Sequence, residues 1–162
     1  MIGGHLGIFP IADARRLAQK RLPHMIFNYV DGAASEEKAA QLNIDRLSDP
    51  RLMPRVLRNV GARCLTGQIL GMDVGLPFGI APMGMCNLSW PGGVRRGEDI
   101  IKACAAGADF VMIGRPFLYG LGAAGEKGIH RITDILAEET DITMGLISKT
   151  ELTTIVPQNL AM

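Results

Sequence analysis

Gly92-Gly-Val-Arg-Arg-Gly-Glu-Asp-Ile-Ile-Lys102, followed by Phe110-Val-Met-Ile-Gly-Arg-Pro116, is the stretch that decides the fold. Its two leading glycines let the backbone approach a ligand closely, and a helix begins directly after them. The first N–H groups of that helix and the positive end of its dipole predict an anion site. Arg95 and Arg96 add forked donors that match phosphate oxygens. Asp109 to Ile113 then reads as a buried strand that ends in Gly114, and Arg115-Pro116 opens another helix.

Working outward, the same alternation of short apolar strand and helix continues. Leu76-Pro-Phe-Gly-Ile-Ala-Pro-Met83 is an apolar run bounded by turn residues, the pattern of a strand buried on both faces. Residues 97 to 107 read as a helix with Ile100, Ile101 and Ala105 inward. Strands alternating with helices imply an α/β fold with a parallel sheet. Two consecutive strand ends carrying Gly plus Arg match the phosphate grip in the last two βα loops of (β/α)8 barrels. A complete barrel needs roughly 250 residues, and this chain has 162. The expectation is therefore a partial (β/α)8 TIM barrel, with N-terminal helices and a first strand joined to the last βα units.

Towards the N-terminus, residues 11 to 21 predict a helix with Ile11, Ala14, Leu17 and Ala18 on one face. Pro23 suits the first turn of a short helix through Tyr29, which Gly32 ends, and Ser35 a cap for a third helix to about Leu47. Thr66 to Leu70 is strand-like. Glu126 to about Glu139 predicts a longer helix with Ile129, Ile132, Ile135 and Leu136 in a stripe, and Ser148 with Glu151 forms a capping-box pattern for a last short helix. Composition excludes other classes. Apolar residues make up 48% of the chain and the net charge is +1, so a core is affordable and no clustered basic excess marks nucleic-acid binding. No apolar run is long enough to span a bilayer and the N-terminus lacks the pattern of a secretory signal. Cys64, Cys86 and Cys104 form no CxxC pair, which predicts reduced, buried thiols in a cytoplasmic protein.

At this point the sequence resembles a known family, the FMN-dependent α-hydroxy acid dehydrogenases and oxidases, which includes glycolate oxidase, lactate oxidase and dehydrogenase, and mandelate dehydrogenase. The segment GGVRRGEDIIKACAAGADFVMIGRPFLYGLGAAGEKGI is similar to that family's C-terminal end. Arg21 to Ala34, Pro54-Arg-Val-Leu57 and Leu76 to Gly84 are similar to its opening helices and first barrel strand, and Ile132 to Leu146 to its closing helix. The resemblance implies one truncated domain over residues 1–162, an N-terminal part at 1–91 and a phosphate-binding part at 92–162. It implies FMN as cofactor and a small (S)-2-hydroxy acid as substrate, oxidised to a 2-oxo acid. It places Tyr29 against the substrate near the flavin, and Ala81, Pro82, Met83 and Gly84 against the isoalloxazine ring. Gly92, Gly93 and Arg95 become the first half of the FMN phosphate loop, and Gly114 and Arg115 its second half.

The sequence departs from the family between Pro91 and Gly92, where the loop after the first strand runs straight into the loop after the seventh. The family's Ser-Asn-His-Gly-x-Arg motif, which supplies the base and the substrate-binding arginine, has no counterpart, nor has its flavin-contacting lysine. Pro91 and Met83 stand where the family usually has Asp and often has Thr. His5, His24 and His130 lie outside any matching segment. Three readings follow: an FMN-dependent hydroxy acid oxidoreductase impaired by the missing base, a non-catalytic FMN- or phosphate-binding remnant, or an interaction fragment left by an internal deletion. A partial barrel also leaves open sheet edges, which predicts self-association.

Overall fold

The structure, a computed structural model, describes residues 7–33, 36–81 and 93–161. Three helices come first: α1 (Ile11–Arg21), α2 (His24–Asp31) and α3 (Lys38–Ser48). Proline stands just ahead of each of the first two, at Pro10 and Pro23, where a missing N–H leaves no hydrogen bond unmade. Gly32 is the C-cap of α2, whose last residue, Asp31, lies two residues beyond the expected end at Tyr29. The α3 helix starts from Glu37 in left-handed backbone at φ 59°. The expected cap, Ser35, lies outside the described residues.

Short strands β1 (Arg51–Leu52), β2 (Gly67–Ile69), β3 (Met72–Val74) and β4 (Phe78–Ile80) follow, then α4 (Gly97–Ala105), β5 (Val111–Ile113), α5 (Arg115–Ala124) and α6 (Glu126–Leu146). Two 3-10 turns, Leu152–Thr154 and Pro157–Asn159, lead into β6 (Leu160–Ala161). β2 and β3 form an antiparallel hairpin around Leu70 and Gly71, both at positive φ, and β6 pairs antiparallel with β1. The pair that matters for the site is β4 and β5. They run parallel in the register Phe78 to Val111, Gly79 to Met112 and Ile80 to Ile113, although some thirty residues and a helix separate them.

Helices cover one side of that pair. α5 lies between α1 and α6, and α4 packs on α6. The main core joins Ile11, Ala14, Phe78, Ile100, Val111, Ile113, Phe117, Ile132 and Leu136. The expected helical stripes thus point inward, since Ile100, Ile101, Ala105, Ile132 and Leu136 are fully buried. A second cluster of Ile101, Ala105, Met144, Ile147 and Ile155 sits under the C-terminal turns. α5 and α6 cross at glycine: a Cβ on Gly128 would stand 1.9 Å from the Gly120 carbonyl oxygen, so the two backbones touch with no room for a side chain.

Three expectations are corrected. α6 continues past Glu139 to Leu146, because Thr140, Thr143 and Met144 extend the buried face and the two threonine hydroxyls donate to carbonyls one turn back. Ser148 is no helix cap. It sits at φ 55° and its hydroxyl donates to the Arg55 carbonyl at 2.7 Å, which ties two loops together, and the last turn is capped at Glu151 without a side-chain bond. Cys64 is exposed, with its Sγ 2.9 Å from the Thr66 hydroxyl, and Cys104 is half-buried; Cys86 lies outside the described residues.

Candidate functional site

The parallel register brings the ends of β4 and β5 to the same level. Ala81, the residue after β4, donates its N–H to the Ile113 carbonyl at 2.9 Å, which sets it beside Gly114 at the end of β5. Two of the expected site segments, far apart in sequence, thus meet at the C-terminal edge of one parallel pair, the place where α/β sheets bind ligands. Pro82, Met83, Gly84 and Gly92 lie outside the described residues.

Gly93 opens the described part of the expected phosphate loop. A Cβ there would meet the Asn43 carbonyl oxygen at 2.7 Å, so its close approach is made to the α3 backbone. Beyond it, the start of α4 differs from the expected anion site. The Arg95 and Arg96 N–H groups donate to the Asp99 carboxylate at 2.8 and 3.0 Å, and the Gly97 N–H donates to the Glu139 carboxylate at 2.7 Å. The chain's own carboxylates already neutralise the positive end of this helix. Burial pushes both acids above the usual carboxylate range, Asp99 despite its two backbone donors and Glu139 despite the Gly97 N–H. Arg96 points outward, 69% exposed, towards Glu98.

Two guanidinium groups, of Arg95 and Arg115, lie near this helix start and are the cations there that suit an anion. Arg95 is half-buried and donates to the Val94 carbonyl at 3.0 Å; burial lowers its pKa, and Arg115 is close enough to lower it further by repulsion. Arg115 opens α5 and donates to the Gly32 carbonyl at 2.7 Å. Two cations held near each other in a partly dry site are unfavourable on their own and favourable to a dianion.

Three further residues complete the cluster and were not singled out in the sequence. Tyr119, one turn after Arg115 and only 3% exposed, donates its hydroxyl to Asp31 at 2.8 Å. Arg15 donates two bonds of 2.6 Å to the two oxygens of Asp31, a forked pair that raises the Arg15 pKa, and stacks its guanidinium over the Phe27 ring at 5.8 Å. Burial alone would raise Asp31, but the bonds from Arg15 and Tyr119 and the charges of Arg15 and Arg115 hold it below the usual aspartate range. Burial, then the bond to Asp31, raises Tyr119. Asp31 sits at the end of a short helix and its partners come from sequence positions 16 and 88 residues away, so no local pattern reveals them.

Tyr29 lies on α2, 48% exposed, two residues before this corner. His24 and His130 are exposed; His24 Nδ1 pairs with the Asn28 side chain at 3.2 Å and His130 lies 3.7 Å from Glu126, and His5 lies outside the described residues. Cavities among the described residues lie elsewhere. One of about 960 Å³ opens between the β2–β3 hairpin and the end of α4, and one of about 290 Å³ lies beside Arg51, Glu98 and Lys102. Among the described residues no group of acids, histidines and cysteines has metal-site geometry, and no helix is long and apolar enough to cross a membrane.

A family model described as FMN-dependent dehydrogenase matches the chain in two pieces, residues 18–93 and 91–162. An L-lactate oxidase from Nostoc sp. is 42% identical over 98 residues, which cover 60% of this chain and 27% of that protein. Human 2-hydroxyacid oxidase 1 is 41% identical over 91 residues, 56% of this chain and 25% of that one. The chain thus spans about a quarter of the length of these relatives. Among solved structures, a soluble mutant of the membrane-associated (S)-mandelate dehydrogenase from Pseudomonas putida superposes with a TM-score of 0.86 at 17% identity, over 95% of this chain and 99% of that one, a likeness of fold.

Proposed function

The chain belongs to the FMN-dependent dehydrogenase family, and we propose that it keeps the family's hold on FMN while the family's oxidation of 2-hydroxy acids is impaired in it. The observation that carries this is that Arg115, directly after Gly114 at the end of the parallel pair, lies close enough to Arg95 for the two charges to repel. In this reading the fold is a partial barrel. Arg95, Gly114 and Arg115, with Gly92 and Gly93, hold the FMN phosphate, and Ala81 with Pro82, Met83 and Gly84 lines the flavin ring. The donor set fits a phosphate dianion: two forked cations, one partly desolvated, with the α4 amides already committed to Asp99 and Glu139.

When bound, FMN would take the hydride equivalent from the α-carbon of a 2-hydroxy acid. A base within hydrogen-bond reach of the substrate is needed for that step. His24 and His130 are engaged at the surface with Asn28 and Glu126, and the family's histidine motif has no counterpart in the sequence. Tyr29 is the remaining candidate to meet the substrate, and a neutral phenol is a poor proton acceptor in place of an imidazole. Under the same reading the two-stranded parallel sheet self-associates through its outer edges.

Flavin fluorescence titration tests the cofactor claim. Arg95→Ala and Arg115→Ala are each expected to weaken FMN binding by about ten- to a hundredfold, the worth of charge-assisted bonds to a phosphate. Unchanged affinity in both variants defeats the reading. Rapid oxidation of lactate, glycolate or mandelate by the purified chain with added FMN would defeat the claim of impairment and restore the full family activity.

A further inference from the structure

We infer that the Asp31–Gly32 corner at the end of α2 is a positioning element for the arginine grip: it aims Arg115, and with it the phosphate site, without touching the ligand. The inference rests on the FMN-phosphate reading above. Two consecutive residues of this corner hold two residues one turn apart on α5. Gly32 accepts from Arg115 at 2.7 Å, and Asp31 accepts from Tyr119 at 2.8 Å. Arg15 locks the same carboxylate from α1 with its forked pair. The corner itself is held closely, since a Cβ on Gly32 would stand 2.7 Å from the Asn28 carbonyl oxygen. One Arg115 N–H is thereby spent on the protein. That bond restrains the guanidinium at the start of α5, directly after β5 and Gly114.

The sign of the effect separates this role from a bystander's. Asp31 is an anion beside two arginines that would bind an anion. On charge alone, Asp31→Asn removes a repulsion and should tighten phosphate binding. If Asp31 positions Arg115, the same substitution breaks the forked pair with Arg15, frees α5 from α2 and weakens phosphate binding. Among the described residues the charged groups that face Asp31 and Tyr119 are Arg15 from α1, Arg115 on α5 and Arg95 ahead of α4, so no second carboxylate there takes over.

The test measures FMN and riboflavin affinities side by side by fluorescence quenching, because their ratio isolates the phosphate. In the full chain FMN is expected to bind more tightly than riboflavin. Asp31→Asn is expected to cut that preference by about tenfold, Tyr119→Phe by a smaller factor, and Asp31→Glu to restore most of it. In an Arg115→Ala background Asp31→Asn should have no further effect, the signature of action through Arg115. If the full chain prefers FMN and both Asp31→Asn and Tyr119→Phe keep or strengthen that preference, the positioning role is overturned and the phosphate grip stands. If the full chain binds FMN no better than riboflavin, the grip and its positioning element fall together. Should Asp31→Asn lose its melting transition, Tyr119→Phe and the Arg115→Ala cycle decide.

Discussion

At the scale of single residues, the site is governed by which charges are buried with which partners. Glu139 shows the balance. Its carboxylate accepts the Gly97 N–H at 2.7 Å, yet burial outweighs that bond and the pull of Arg96, and its pKa is raised. A raised folded pKa means that ionising Glu139 is harder in the fold than in the unfolded chain. Its contribution to stability is therefore fully present below the ordinary value of about 4.3 and is lost as pH rises through the folded value. Glu139→Gln keeps an acceptor for Gly97 and removes the charge, so the variant should be less stable than the parent, or equal, near pH 4 and gain on it towards pH 7. Urea midpoints at the two pH values check this; a variant that loses ground as pH rises would contradict it. Asp31 has the opposite sign. Held below the usual aspartate range, it contributes stability above about pH 4 that is lost as pH falls through its folded value.

At the scale of elements, packing between helices is set by where side chains are missing. Inside α6, replacing glycine by alanine should stabilise an exposed position by up to about 1 kcal/mol through helix propensity. Gly128 is the case where packing reverses the sign. Its Cβ would stand 1.9 Å from Gly120 oxygen, so Gly128→Ala must force α5 and α6 apart and is expected to cost about 1–3 kcal/mol. Gly145, near the end of the same helix, meets nothing closer than the Arg63 guanidinium at 3.4 Å, and Gly145→Ala should be neutral or mildly stabilising. Thermal melts of the two variants check the contrast, and equal shifts would contradict it. Elements were also the most legible scale in the sequence. The stripes Ile11, Ala14, Ala18 and Ile132, Ile135, Leu136 are periodic, and they are buried. Gly114-Arg115-Pro116 marked a strand end and a helix start because proline and glycine constrain backbone locally. The rest was not local. Asp99 and Glu139 fill the start of α4 from three residues ahead and from another helix. Asp31, Arg15 and Tyr119 meet only once α1, α2 and α5 have packed, and pairings that long leave no periodic trace. Ser148 shows the converse: the local pattern predicted a helix cap, and the hydroxyl instead donates to a distant loop, at Arg55.

At the scale of the whole molecule, the parallel sheet is the unresolved tension. β4 and β5 form a sheet of two strands, so each presents an outer edge of backbone N–H and carbonyl groups. Two strands are marginal alone, and here the helices stabilise one face only. Val111 and Ile113 are buried under that cover, whereas Met112, whose side chain alternates to the other face, is 49% exposed beside Gly79. Among the described residues no third strand pairs with either edge, and an apolar, half-exposed parallel pair of that kind is what other chains pair with. The 17.4 kDa chain is therefore expected to elute above its monomer mass in size-exclusion chromatography at micromolar concentration, with the larger species growing as concentration rises. Met112→Lys places a charge on the exposed face without touching the buried pair. It should shift the population towards monomer while changing thermal stability by no more than about 0.5 kcal/mol. Dissociation without loss of stability would locate the contact at this strand pair. A full chain that runs as a compact monomer over the whole concentration range would show instead that the sheet edges are covered within one molecule.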